Sequence, residues 1–226
     1  MTGLRPFHFP PYSQRSFHHG PVDLVRSMAD GMKQITRLAA LALACVCSGA
    51  GAQDLRRDSG ESDQAFAVRA LKLSKDAKPH TTQATWNGLS TLFVDYETQE
   101  ADPERPLVAL QRQPTGGYRT IEVTLGEQEG GTPDVLALGF ANADRDPDKE
   151  LIVILAWPVR HYDVMGTLYE VRLLDAPKPD QTQLTLLPVS GKFGLGCDCD
   201  RRDDKPERYR FKTIAAVKTE LKRLGY

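Results

Sequence analysis

Five consecutive apolar residues, Leu151, Ile152, Val153, Ile154 and Leu155, put hydrophobic side chains on both faces of an extended strand. A strand of that kind cannot show one face to water, so it must be central in its sheet and covered on both sides. The rest of the apolar pattern says what surrounds it. Ile121, Val123 and Leu125 alternate with Thr120, Glu122 and Thr124, the mark of a half-buried strand, just after the turn signal Pro114-Thr115-Gly116-Gly117. Leu92, Val94 and Tyr96 alternate with Thr91, Phe93 and Asp95. Short apolar runs over 107–111, 135–140, 151–159, 168–174 and 184–189 bring the total to about seven strands separated by polar or proline-containing loops. Residues 79–87 read as a loop.

Helices flank the strands. Phe66, Ala70 and Leu73 fall at helical spacing within 63–75. At the other end Ile214, Val217, Leu221 and Leu224 form an apolar stripe, with Lys218, Lys222 and Arg223 on the opposite side. Thr213 can cap the start of that helix, Gly225 can end it, and the late basic residues suit its negative end. The fold class is therefore α+β and mostly β: an antiparallel meander with an N-terminal and a C-terminal helix.

The N-terminal region carries an address. Lys33 and Arg37 precede a nine-residue apolar run, 38–46, and small residues over 48–52 follow it. The run is too short to span a bilayer and has the order of a secretory signal, here 32–52 with cleavage after Ala52. Lipidation at Cys45 is the second reading, although Ala42 stands where a lipoprotein signal has Leu. Residues 1–31 read as a mis-called extension, with translation starting at Met32 or Met28. A flexible leader, 53–62, then precedes a single globular domain, 63–226, placed in the periplasm or outside the cell. Over 53–226 there are 24 Lys plus Arg against 28 Asp plus Glu, a net of −4 with interspersed signs. That balance argues against nucleic acid as a partner, and no other segment is long and apolar enough to be a transmembrane segment.

Oxygen-bearing side chains stand at alternate positions of the loop between two strands: Asn142, Asp144, Asp146, Asp148 and Glu150. A curled loop points such residues inward, and six to eight oxygens are what calcium takes. Residues 135–156 resemble one unit of the FG-GAP (VCBS, integrin-type) repeat. Asn142, Asp144, Asp146 and Glu150 match its acidic positions, and Leu151 opens the following apolar strand. The resemblance implies a calcium loop. Pro147 stands where the family has Gly, and the chain holds no second unit. The alternative is a solvated acidic hairpin that binds nothing.

Cys197 and Cys199 are the only cysteines after residue 52. They read as a disulfide, as free or redox-active thiols, or as part of a metal site with His80 and His161. The charged run 200–208 reads as a solvated loop. His161 and Asp163 share a face of any strand and suggest a hydrolytic centre with Ser190, Ser90 or Glu170, against the simpler reading of a structural histidine. Trp157 belongs to the core, and Trp86 to either core or surface. With no nucleophile elbow, phosphate loop or metalloprotease helix, the expected function is non-enzymatic: a secreted binding or accessory protein acting on a protein or glycan partner. An inhibitor or immunity-type protein that blocks another protein's active site is the first alternative, and a hydrolase of unrecognised type the second.

Overall fold

Within each sheet of this domain, strands next to one another in sequence are next to one another in space. The computed structural model describes residues 55–99, 104–124, 132–202 and 205–226; the segments expected to be an export signal, 32–52, and an extension, 1–31, lie outside them. Among the described residues there are eight strands: β1 (His80–Trp86), β2 (Leu89–Asp95), β3 (Leu107–Arg112), β4 (Tyr118–Thr124), β5 (Asp134–Ala141), β6 (Glu150–Arg160), β7 (Val164–Leu174) and β8 (Leu195–Arg201). Helices α1 (Asp63–Ala70) and α2 (Ile214–Leu224) flank them. The strands form two four-stranded antiparallel sheets, β1-β2-β3-β4 and β5-β6-β7-β8, each a simple meander.

The two sheets pack face to face. Trp86, Phe93, Leu107, Ala109, Ile121 and Val123 of the first meet Leu151, Val153, Leu155, Trp157 and Leu174 of the second in one buried cluster. The opposite parity faces outward and is covered by helices. Leu92, Val94, Val108 and Leu110 lie under Phe66 and Ala67 of α1. Ile152, Ile154, Val171 and Leu173 lie under Val217 and Leu221 of α2, with Phe193 and Phe211. This four-layer arrangement gives β6 the double cover its composition demands. Thr213 accepts a hydrogen bond from the Ala216 N–H (3.2 Å), and Gly225 closes α2 at φ 93°, as its sequence suggests.

Three segments differ from the sequence reading. Residues 80–86 are a strand rather than a loop. They hairpin with β2 through Asn87 and Gly88, whose positive φ values (46° and 80°) form the tight primed turn that such hairpins use. Residues 184–189 are not a strand. Leu184 belongs to the inter-sheet core and Val189 to the core under α2, so the segment crosses between layers, and Pro188 opens a 3-10 helix, Pro188–Lys192. Residues 195–201, for which the sequence suggests no strand and whose end overlaps the charged run 200–208 read as a loop, form β8. The first helix is also shorter than 63–75: Lys72 turns left-handed (φ 54°) and the Leu73 N–H returns to Val68 O at 2.9 Å, closing α1.

Candidate cation site

The β5–β6 loop begins after Ala141 and ends at Glu150, the first residue of β6. Two of its aspartates fold the loop on itself: Asp144 Oδ1 accepts the Asp146 N–H (2.8 Å), and Asp146 Oδ1 accepts the Asp148 N–H (2.9 Å). Glu150 has the parity of Ile152 and Ile154, so the pleat carries its carboxylate to the covered face of its sheet, where it is 0 % exposed. Its Oε2 accepts the Ala143 N–H, and its Oε1 is buried with no hydrogen-bond partner.

Oxygens of Asp144, Asp146 and Glu150 lie within 4.8 Å of one another, and the three form a group that can hold a metal ion. A calcium ion about 2.4 Å from each ligand can bridge two oxygens up to about 4.8 Å apart, so each pair among the three lies within the span of one ion. Burial raises the Glu150 carboxyl to about 7, the Ala143 N–H opposes the shift, and the negative charges of Asp144 and Asp146 add to it. Of the other two expected ligands, Asp148 is not in this group, and Asn142 is exposed at the loop's entrance.

The first sheet grips the far end of the loop. The Trp86 indole N–H donates to Lys149 O (2.6 Å), Asn87 Nδ2 donates to the same oxygen (3.1 Å), and the Lys149 N–H donates to Asn87 Oδ1 (2.9 Å). Nothing in the β5–β6 sequence announces this clasp. The Asn87-Gly88 dipeptide, a strong hairpin signal, is the clue that could have placed the turn.

The chain matches no protein-family model, no curated protein and no solved structure. The site is therefore read on its own geometry.

The other sequence candidates are spread over the fold. His161 Nδ1 lies 2.7 Å from Asp163 Oδ1 at the exposed tip of the β6–β7 hairpin. Ser190 is buried, its Oγ accepting the Leu173 N–H (2.9 Å) and donating to Leu173 O (3.2 Å). Leu173 is nine residues along β7 from Val164, which at about 3.4 Å per residue puts some 30 Å between Ser190 and the tip. Glu170 is held by Arg172 and Ser90 by Gln83, so none of the suggested partners is assembled around His161. Cys197 and Cys199 face one another on β8 with Cα atoms 5.2 Å apart, within the range of roughly 4.4–6.8 Å that a disulfide spans.

One further cluster has no signal in the sequence, because His80 stands in a segment, 79–87, that reads as a loop. His80 Nδ1 is 2.9 Å from Asp95 Oδ1, Arg105 binds Asp95 Oδ2 at 3.0 Å, and Arg105 also pairs with Asp134 of the other sheet. His80 and Asp95 line a cavity of about 270 Å³ between β1, β2, β3 and β5. No helix among the described residues is long and apolar enough to cross a membrane.

Proposed function

We infer that this is a secreted, non-enzymatic binding or accessory domain whose β5–β6 loop holds one divalent cation, calcium in preference to magnesium. The observation that carries the reading is Glu150: a fully buried carboxylate with one oxygen unpartnered, beside two more carboxylates. A buried acid without a counter-charge is destabilising, and a cation between the three would remove that cost. The resemblance of 135–156 to one FG-GAP unit points the same way. Calcium tolerates irregular oxygen sets, whereas magnesium demands near-octahedral geometry at shorter distances. The export signal supports a periplasmic or extracellular setting, where a protein or glycan would be the partner.

Titration calorimetry with calcium, beside melting curves in calcium and in chelator, tests the site. An ion that binds only the folded state at a hundredfold excess over Kd adds about 2.7 kcal/mol. For a domain of this size that raises Tm by roughly 5–10 °C. Superimposable curves, with no heat of binding at millimolar calcium, would reject the cation reading.

The β6–β7 hairpin favours an inhibitor-type role as the second reading. Its tip holds Tyr162 at 77 % and Met165 at 64 % exposure, large apolar groups with no cover in the domain. Tyr162→Ala would then abolish stoichiometric binding to the blocked protein while leaving Tm unchanged; undiminished binding would dismiss this role.

A further inference from the structure

Cys197 and Cys199 sit on β8 opposite Leu168 and Gly166 of β7. Two steps along an extended strand cover about 6.6–6.8 Å. The two Cα atoms are 5.2 Å apart, so β8 is contracted across Asp198 by about 1.5 Å. The neighbouring strand is shaped to receive that contraction. A Cβ at position 166 would lie 2.1 Å from Asp198 O and 2.7 Å from Cys199 Cα, which only a glycine avoids.

The contracted stretch is also where the C-terminal segment is strapped down. Cys199 and Glu207 exchange backbone hydrogen bonds (3.1 and 2.8 Å), Arg208 pairs with Asp200 (2.7 Å), and Lys212 pairs with Asp198. The strap leads directly into α2.

We propose that Cys197 and Cys199 are a reversible thiol–disulfide couple, seated on Gly166, whose closing contracts β8 and whose opening lets it extend and loosens the 207–212 strap. The reacting partner is a thiol of the surroundings. Cys197 is half-buried and Cys199 fully buried, so an incoming thiolate attacks Cys197 Sγ. The S–S bond breaks, Cys199 leaves as a thiolate and takes up a proton. A second thiolate then attacks the external sulfur of the mixed disulfide and releases Cys197. The sum is one protein disulfide and two thiols giving one protein dithiol and one small disulfide.

The test equilibrates the protein across a series of reduced-to-oxidised glutathione ratios, traps free thiols with a mass tag, and reads the dithiol fraction by intact mass. The wild type cleaved after Ala52, which holds only these two cysteines, is expected to pass from no tag to two tags within the series. Gly166→Ala, whose methyl meets the contracted backbone, is expected to move the midpoint at least tenfold toward the dithiol. Hydrogen exchange over 207–212 should quicken on reduction, and a Cys197→Ser, Cys199→Ser protein should reproduce the reduced pattern. The two wild-type measurements stand even where Gly166→Ala folds poorly. Two tags at every ratio, no tag at any ratio, or unchanged exchange over 207–212 on reduction would each overturn the proposal.

Discussion

Replacing Glu150 with Gln isolates the one carboxylic acid, among the described residues, whose ionisation the folded chain resists. Its carboxyl is raised from the usual 4.5 to about 7, mainly by burial. Below pH 4.5 the folded and unfolded chains both hold the proton, and the group is neutral in the balance. As pH rises from 4.5 to about 7 the unfolded chain releases the proton while the folded chain holds it, because ionising would bury a charge beside Asp144 and Asp146. Without cation, stability therefore declines between these two values and levels off above them, by at most about 3.4 kcal/mol. Gln keeps an oxygen for the Ala143 N–H and turns an amide toward the two aspartates, so it avoids the decline. Thermal melts of both proteins in chelator, at pH 4.5 and pH 8, make the comparison, and their difference cancels every other titrating group. The variant should melt close to wild type at pH 4.5 and about 6–12 °C higher at pH 8. Calcium should raise the wild type at pH 8 and leave the variant nearly where it was. A Gln variant that melts below wild type at pH 8 in chelator would refute the account of Glu150.

Asn87→Ala removes both hydrogen bonds to the Lys149 peptide and puts a Cβ-bearing residue without a polar tip at φ 46°; chemical denaturation should show a loss of about 2 kcal/mol. Asn87→Gly should lose less, because glycine accepts that backbone freely. Phe66→Ala empties the contact between α1 and its sheet, including the edge-on packing against Tyr118 (4.7 Å), and denaturant titration should register a loss of about 3–5 kcal/mol. Thr213→Ala deletes the cap of α2 and should lower stability by about 1 kcal/mol, read as a fall of roughly 2–4 °C in Tm.

What could be read in the chain beforehand follows from how local each cause is. The double cover of 151–155 was legible because five apolar residues in a row admit few alternatives. The start and end of α2 were legible because caps act within one turn. β1 escaped notice because His80, Thr81, Thr82 and Gln83 offer no apolar stripe, although Asn87-Gly88 announces a hairpin. β8 escaped because an edge strand needs only its contacts with β7, and Cys and Asp can supply those without a hydrophobic run. Residues 184–189 misled for the opposite reason. Their apolar side chains serve two different cores, which no strand pattern distinguishes from one. At the loop, acid spacing found Asp144, Asp146 and Glu150. It could not find that Glu150 is buried or that Asn87 and Trp86 hold Lys149, since both depend on one sheet docking against the other.

The clasp between those sheets has a kinetic meaning. Each sheet is contiguous in sequence, so hairpins such as β1–β2 and β6–β7 close over short loops, on the order of microseconds. Trp86 and Lys149 are 63 residues apart, and their bond forms only when two finished sheets meet. Contacts made that late are absent from the barrier to folding and present in the barrier to unfolding. Weakening the clasp should therefore leave the refolding limb of a chevron in place and lift the unfolding limb. The β1–β2 turn thereby governs how long the domain stays folded and has little influence on how fast it gets there.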